Sequence, residues 1–177
     1  MDNVDHPILS KSKSISNIDM PIERIDIGEW LLNLSEPEYQ RCCVPDHVSC
    51  GLTTTDDGHR VMINVETIGD AILVQHYLAE IVTPTYCRMN SVSDVFVGGA
   101  RTQVNVIWEL SVESNDDNRS TYINSVTVYP TEAFLAFISQ NGLSFEDAAN
   151  ERDAPSRDHN SRETPMFAAS IARWASR

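Results

Sequence analysis

Lysine is nearly missing from this sequence, and so is any long apolar run. Of the 177 residues, 26 are acidic and 13 are basic, and the only lysines are Lys11 and Lys13. Such an acidic excess, with no basic stripe, disfavours nucleic acids and anionic membrane surfaces as partners. No stretch approaches the roughly 18 consecutive apolar residues that cross a bilayer. We therefore expect neither nucleic-acid binding nor membrane insertion.

Targeting and nucleotide-binding signals are also missing. The first residues lack the basic-then-apolar order of a secretory signal, which predicts a cytoplasmic protein with reduced cysteines. Gly98 and Gly99 form no phosphate-binding pattern with their neighbours and indicate a hairpin turn. No Ser/His/Asp triad is evident, and we expect no cofactor.

The spacing of possible ligands disfavours a metal site. The segment CCVPDHVSC groups Cys42, Cys43, His47 and Cys50. Zinc sites usually combine two separated ligand pairs, and no second pair follows this segment. We therefore predict no metal site and interpret the cysteines as small buried hydrophobic residues.

Strand patterning is the strongest positive signal. Between Arg101 and Ser114, apolar side chains occupy every second position, at Val104, Val106, Trp108, Leu110 and Val112. Alternation with period two is typical of a strand that buries one face. Five further strands are predicted at 48–55, 60–67, 71–82, 86–97 and 120–129. Turn residues separate them at short intervals, which predicts an antiparallel meander.

The residues before the meander predict a tail, a strand and two helices. Residues 1–13 are polar and patternless, and we expect them to form a disordered tail. Residues 14–22 alternate weakly and predict a first strand. Two short helices follow, the second opened by a capping box of Ser35 and Glu38. Residues 14–177 are expected to form a single domain.

The last quarter of the chain is predicted to be helical. Thr131 is placed to cap a helix that ends near Gly142, and Ser144 is placed to open the next. Pro155 is expected to interrupt this second helix or to lie at a junction, and Thr164 and Pro165 are expected to start or kink the final stretch.

Two parts of this last quarter differ in polarity. The segment 152–163, RDAPSRDHNSRE, mixes both charges and is expected to form a solvated helix face on which His159 is exposed. The final stretch, PMFAASIARWA, has helical spacing of its apolar residues Phe167, Ile171 and Trp174.

The order of these elements resembles a known fold. The resemblance covers about 14–177 and is carried by IDMPIERI, IGEWLLNLSEPEYQRC, INVETIGDAILVQHY and TPMFAASIARWA. The sequence is similar in these segments to the helix-grip fold of the SRPBCC superfamily, which includes START domains, Bet v 1-like proteins and polyketide aromatase/cyclases. The resemblance implies an α+β fold in which a seven-stranded antiparallel sheet wraps around a long C-terminal helix. A lipocalin-like barrel fits less well, because it would not place two helices directly after its first strand.

The fold that this resemblance implies encloses a mostly apolar cavity, and strand register suggests which polar side chains face it. In the strand 71–82, His76 shares a face with Ile72 and Val74, and could act there as a general base. On the strand 120–129, Tyr122 and Asn124 share a face with valines and could polarise a substrate carbonyl. Each of these three side chains could instead be a hydrogen-bonded core residue without a role in catalysis.

Apolar ligand contacts follow from the same register. We expect a ligand to touch six residues, Trp108, Val106, Leu110, Val74, Phe167 and Ile171. The predicted function is binding of a hydrophobic small molecule by a monomer or homodimer, with cofactor-independent cyclase- or dehydratase-like catalysis on a polyketide, aromatic or terpenoid compound. The alternatives are a non-enzymatic carrier or sensor of a lipid or hormone-like ligand, and an interaction module without an open cavity. An enzyme should present at least two polar groups converging on the cavity, whereas a carrier should have a nearly all-apolar lining.

Overall fold

A computed structural model describes residues 7–116 and 118–177. Its strands are β1 (Ser10–Ile18), β2 (His47–Thr54), β3 (Arg60–Ile68), β4 (Ala71–Val82), β5 (Tyr86–Val97), β6 (Ala100–Asp116) and β7 (Arg119–Pro130). They form one antiparallel sheet in the order β1-β7-β6-β5-β4-β3-β2. The predicted meander is confirmed, since β2 to β7 follow one another across the sheet.

The longest strand, β6, lies in the middle part of the sheet. Its alternating apolar residues, from Val104 to Val112, are all buried. The β5–β6 turn contains Gly98 and Gly99, whose φ angles of 58° and 77° lie in the left-handed region that glycine adopts without steric cost. Local turn chemistry and the apolar pattern therefore agree along this hairpin.

Four helices accompany the sheet: α1 (Ile27–Leu31), α2 (Glu36–Cys42), α3 (Glu132–Gln140) and α4 (Phe145–Ala175). Thr131 and Ser144 cap α3 and α4 as predicted, because their side chains accept hydrogen bonds from Phe134 N and Asp147 N. The predicted capping box at α2 is wrong, since Ser35 makes no side-chain cap hydrogen bond. None of the described helices is long and apolar enough to cross a membrane.

Helix α4 runs unbroken for 31 residues with Pro155 and Pro165 inside it, so the predicted interruption is wrong. A proline inside a helix removes one backbone hydrogen bond and crowds the preceding turn. Here the helix packs along the inner face of the sheet and buries Phe167 and Ile171. Tertiary packing of this kind outweighs the local cost of a proline.

The first strand begins earlier than the sequence indicated. β1 starts at Ser10 and pairs with β7 from Ser10–Val128 to Ile18–Ser120. The boundary of the predicted tail is therefore wrong for residues 10–13, while residues 1–6 lie outside the described part of the chain. The inward residues at this end of the strand are serines, Ser10 and Ser12, rather than aliphatics, so the apolar alternation that predicts a strand is missing there.

Deletion of residues 1–13 should therefore destabilise the protein. The deletion removes Leu9, which is 2% exposed, and four of the nine residue pairs between β1 and β7. Loss of one buried leucine costs about 1.5–3 kcal/mol of stability, which lowers the melting temperature by about 3–12 °C in a protein of this size. Differential scanning calorimetry of the truncated and the full chain measures the difference. An unchanged midpoint would show that this end of β1 contributes nothing to stability.

Candidate ligand cavity and its polar wall

A cavity of about 50 Å³ lies between the inner face of the sheet and α4. Strands β6 and β7 supply an apolar wall of Val104, Val106, Trp108, Val126 and Val128. The opposite wall is polar and comes from β3, β4 and α4. The cavity therefore has an apolar side and a side rich in hydrogen-bonding groups.

The polar wall arises because β3 and β4 turn their polar residues inward. Asn64 and Glu66 on β3 and Gln75 on β4 are buried and line the cavity, as does Tyr77. The branched aliphatics between them point to the outer face, where they are only half-buried. This is the reverse of the usual arrangement of a half-buried strand.

The prediction that His76 points into the cavity is wrong. His76 is exposed and lies on the outer face of β4 together with the half-buried Val74, so Val74 cannot touch a ligand in the cavity either. Both faces of β4 carry apolar residues, and the pattern alone gave no reason to prefer Leu73 and Tyr77 as the inward set.

The other two predicted polar residues are buried, as the register of β7 indicated. Asn124 is fully buried, and its Oδ1 accepts a hydrogen bond of 2.8 Å from the indole Nε1 of Trp108. Tyr122 is also fully buried, and burial raises the pKa of its phenol well above the ordinary value. Its hydroxyl has no hydrogen-bond partner among the described residues. Neither Tyr122 nor Asn124 lines the cavity itself.

Of the predicted apolar contacts, Trp108 and Val106 line the cavity. Leu110, Phe167 and Ile171 are buried in the adjoining core instead. The Phe167 ring packs against Trp108 at a centroid distance of 6.1 Å, so it supports the cavity wall from behind.

A cluster of two histidines and two glutamates forms the end of the polar wall. We call His47, Glu66, His159 and Glu163 the acid–histidine cluster; all four are less than 9% exposed. His47 Nε2 lies 3.1 Å from Glu163 Oε2 and 3.9 Å from Glu66 Oε2. His159 Nε2 lies 3.5 Å from each of the same two oxygens. Glu66, His159 and Glu163 line the cavity.

The second nitrogen of each imidazole has its own acceptor. His47 Nδ1 donates to the backbone carbonyl of Tyr39 at 2.7 Å. His159 Nδ1 lies 2.9 Å from the carboxylate of Asp46. Both rings are thereby oriented so that Nε2 faces the glutamates.

The two glutamates are held in the same way. Glu66 accepts hydrogen bonds from the Tyr39 hydroxyl at 3.0 Å and from Gln75 Nε2 at 2.8 Å. Glu163 accepts one from Asn124 Nδ2 at 2.9 Å. Asn124 therefore acts on the cavity indirectly, by positioning Glu163.

Mutual charge sets the protonation of the cluster. Burial raises the pKa of Glu163, but the charge of His159 and hydrogen bonds from His159 and His47 outweigh it and lower the pKa to about 2. Burial opposes the charged form of His159, yet the nearby Glu163 and Glu66 raise its pKa far above the ordinary value. The electrostatics of the cluster therefore favour an ionised Glu163 beside a protonated His159.

The cysteines that the sequence grouped with His47 separate in the structure. Burial raises the pKa of Cys42 to about 12 and of Cys50 to about 11, in keeping with their interpretation as buried hydrophobic residues. Cys43 alone comes near the cluster, where its Sγ and one nitrogen each of His47 and His159 lie within 4.8 Å of one another.

Sequence reasoning missed His159 and Glu163, which it placed on a solvated helix face. His159 and Glu163 are each only 5% exposed. The missed signal is the spacing of four between His159, Glu163, Phe167 and Ile171, which puts all four on one side of a helix. Pro165 concealed it, because a helix broken at that residue would not continue the stripe.

Three amides in the cavity wall have polar atoms without a partner among the described residues. They are Asn64 Oδ1, Gln75 Oε1 and both side-chain polar atoms of Asn160. A buried polar atom left unsatisfied costs about 1–3 kcal/mol. Groups of this kind, gathered around one cavity, are suited to a ligand or waters that supply the missing hydrogen bonds.

A second, outer pocket of about 250 Å³ lies between α3, the first turns of α4 and the β3–β4 and β5–β6 turns. It shares Ile68, Arg152 and Ser156 with the inner cavity. The Arg152 guanidinium lies 5.3 Å from the centre of the Phe134 ring, and no described residue forms an ion pair with it. Arg152 and Ile68 therefore separate the cavity from its outer pocket.

The sheet and its long helix together define the fold. A seven-stranded antiparallel sheet that holds a long C-terminal helix against its inner face is the helix-grip fold of SRPBCC/START-like proteins. No protein-family model matches the chain, and no curated protein matches its sequence.

Solved aromatase/cyclases share this fold. The chain is similar to the Zhui aromatase/cyclase from Streptomyces sp. R1128, with a TM-score of 0.62 and 11% identity over 94% of this chain and 93% of that one. It is also similar to two di-domain aromatase/cyclases, of which it spans about half. For StfQ of the steffimycin pathway the TM-score is 0.60 at 10% identity, covering 94% of this chain and 52% of that one. For BexL of the BE-7585A pathway the TM-score is 0.57 at 15% identity, covering 92% of this chain and 49% of that one. Identities this low establish the fold alone.

Proposed function

We propose that the protein binds a largely hydrophobic, oxygen-bearing small molecule in the inner cavity and catalyses a cyclase- or dehydratase-like reaction on it. The observation that carries the proposal is the polar wall, where Glu66, His159 and Glu163 lie beside amides with polar atoms that find no partner among the described residues. Apolar valines on the other wall would hold the hydrocarbon part of the ligand. The fold shared with aromatase/cyclases supports the same class of substrate.

The cavity must widen to admit such a ligand. Its volume of about 50 Å³ is well below the roughly 150 Å³ of a cavity that holds benzene. Movement of Arg152 and Ile68 would join it to the outer pocket of about 250 Å³. The ligand would then enter between α3 and the β3–β4 turn, with its polar end leading.

The acid–histidine cluster supplies both an acid and a base for dehydration. A glutamate carboxylate, Glu66 or Glu163, takes a proton from the carbon next to a ligand carbonyl. The imidazolium of His159 gives its proton to the β-hydroxyl, which leaves as water while a carbon–carbon double bond forms. This assignment replaces His76, which faces solvent, as the acid–base group.

The carrier alternative predicted a nearly all-apolar lining, and the lining of this cavity does not favour it. Ten of its residues are polar or charged: Ser10, Ser12, Asn64, Glu66, Gln75, Arg152, Ser156, His159, Asn160 and Glu163. A carrier of an apolar lipid has no use for so many buried hydrogen-bonding groups, which cost free energy to desolvate.

An aromatic β-hydroxyketone tests the proposed chemistry, because its dehydration to the enone is followed by ultraviolet absorbance. We expect Glu163→Gln to lower kcat/KM by about 100-fold or more, the usual effect of removing an acid–base group. Glu146→Gln, at an exposed position of the same helix away from both pockets, and His76→Ala on the outer face are the matched controls and should leave it unchanged. Absence of turnover by the wild-type protein, or equal loss in the His76 variant, would contradict the proposal.

Binding is tested separately with Nile red and a cavity-filling variant. Val106→Trp places a large side chain in the apolar wall and should abolish the fluorescence gain seen with the wild-type protein. His76→Ala should bind the dye as the wild type does. If Val106→Trp binds it equally well, the ligand does not occupy this cavity.

A further inference from the structure

The acid–histidine cluster gathers four metal-ligating side chains in one buried place. The four distances between an imidazole Nε2 and a glutamate Oε2 are 3.1, 3.5, 3.5 and 3.9 Å. In a tetrahedral zinc site with bonds of about 2.0–2.2 Å, neighbouring ligand atoms lie about 3.3–3.6 Å apart. Four of the six edges of a coordination tetrahedron are therefore already within a few tenths of an ångström of the required length.

We propose that His47, Glu66, His159 and Glu163 together bind one divalent transition-metal cation such as Zn²⁺. Mixed imidazole and carboxylate donors suit zinc and its first-row neighbours, whereas Mg²⁺ and Ca²⁺ prefer oxygen alone. Two carboxylates and two neutral imidazoles also balance the charge of a divalent ion in a buried place, where an uncompensated charge is costly.

The surroundings of the four residues are those that metal ligands need. A histidine that binds a metal usually donates its other N–H to a carbonyl or carboxylate, and ligating carboxylates are themselves hydrogen-bonded. His47 Nδ1 faces the Tyr39 carbonyl and His159 Nδ1 faces the Asp46 carboxylate. Glu66 and Glu163 are held by the donors already described, among them Gln75 Nε2 at 2.8 Å.

The tautomer of His47 gives an independent reason. Its Nδ1 faces a carbonyl oxygen, which can only accept, so that nitrogen carries a proton. In the neutral ring Nε2 then presents a lone pair toward the Glu163 carboxylate at 3.1 Å. Two acceptors at this distance repel each other unless a cation lies between them, either a second proton on the ring or a metal ion. The convergence of His159 and Glu66 on the same place favours the metal.

The fold supplies the second ligand pair that the sequence segment around Cys43 lacked. His159 and Glu163 are four residues apart on α4, so they lie on one side of the helix. Glu66 comes from β3, the neighbour of the strand that begins with His47. Cys43 is not a ligand in this arrangement, because its Sγ lies 3.7 Å from His159 Nδ1, the nitrogen that faces Asp46.

This inference does not rest on the proposed function, although it bears on it. Glu66, His159 and Glu163 line the cavity, so a bound ion would lie at its polar end. There it could polarise a ligand oxygen in place of the His159 imidazolium. The protein would use the same cavity and the same class of ligand with and without the bound ion.

Cobalt titration of the full chain, stripped with EDTA and desalted, tests the proposal. We expect one equivalent of Co²⁺ to produce the intense visible bands of tetrahedral coordination without a sulfur-to-metal charge-transfer band, and Zn²⁺ to displace it. Loss of a residue that only hydrogen-bonds a metal ligand usually weakens metal binding by roughly 10–100-fold, and we expect an effect in this range for Gln75→Leu. Glu163→Gln removes a ligand and should weaken binding by more than that.

Controls exclude adventitious binding. His59→Ala and His76→Ala remove exposed histidines and should leave the cobalt spectrum and affinity unchanged. Absence of a stoichiometric spectrum in the wild-type protein would overturn the proposal, and so would a charge-transfer band that disappears in Cys43→Ser. If Glu163→Gln does not fold, three results still test the metal site. They are the cobalt spectrum of the wild-type protein, the rise of its melting temperature with Zn²⁺, and the weaker metal binding of Gln75→Leu. Dehydration by the EDTA-stripped protein is measured alongside, so that loss of the metal proposal and loss of the proposed function are distinguished.

Discussion

Replacing Trp108 with alanine should lower the free energy of unfolding by about 3–5 kcal/mol, the usual cost of removing a buried aromatic side chain. Trp108 is 4% exposed and packs between the rings of Tyr77 and Phe167. Its loss also removes the donor that satisfies Asn124 Oδ1. Because Trp108 borders the cavity, the void would merge with it rather than collapse. Chemical denaturation followed by circular dichroism measures the effect.

Trp174→Ala is the matched control for this prediction. Trp174 is half-buried near the end of α4, so the same truncation should cost much less there. Trp108→Phe keeps most of the buried surface and should recover part of the loss. A cost below about 1 kcal/mol for Trp108→Ala would contradict the central place assigned to β6.

The second large effect is expected for Glu163→Ala, at about 3–5 kcal/mol when measured in EDTA. Removing one partner from a buried charge network leaves the others uncompensated. His159 would lose a carboxylate at 3.5 Å, His47 one at 3.1 Å, and Asn124 an acceptor at 2.9 Å. No single group left in the cavity wall can replace all three contacts.

Glu151→Ala provides the comparison on the same helix. Its side chain is exposed, and substitutions at such positions usually change stability by less than about 0.5 kcal/mol. Urea denaturation of both variants at neutral pH yields the difference directly. Equal stabilities would mean that the acid–histidine cluster contributes nothing net to the fold, although it could still bind a ligand.

The general architecture could be predicted because each strand carries its own local signal. The limits of β4 and β5 and the inward residues of β6 follow from period-two alternation and turn residues alone. The helix caps at Thr131 and Ser144 are equally local. Such features depend on neighbours a few residues away, which is the range over which a sequence pattern carries information.

The functional site could not be predicted in the same way. Its members come from β2, β3 and α4, and residues 47 and 163 are 116 positions apart in the chain. On β3 the inward face holds Asn64 and Glu66, so the rule that apolar residues point inward selects the wrong side there. On β4 both faces carry apolar residues, so the pattern does not tell the His76 face from the face of Leu73 and Tyr77. The charged neighbours of His159 in sequence likewise indicate solvent, although the residue is buried.

The sequence by itself therefore determined the strands, their order and the class of fold, because hydrophobic periodicity and turn chemistry act locally. Only the tertiary structure decided which face of β4 meets the cavity and that α4 continues through Pro165. It also decided that two histidines and two glutamates share one buried place. The physical reason is that charged groups enter a core only when partners from distant segments compensate them, and those partners are brought together by the fold as a whole.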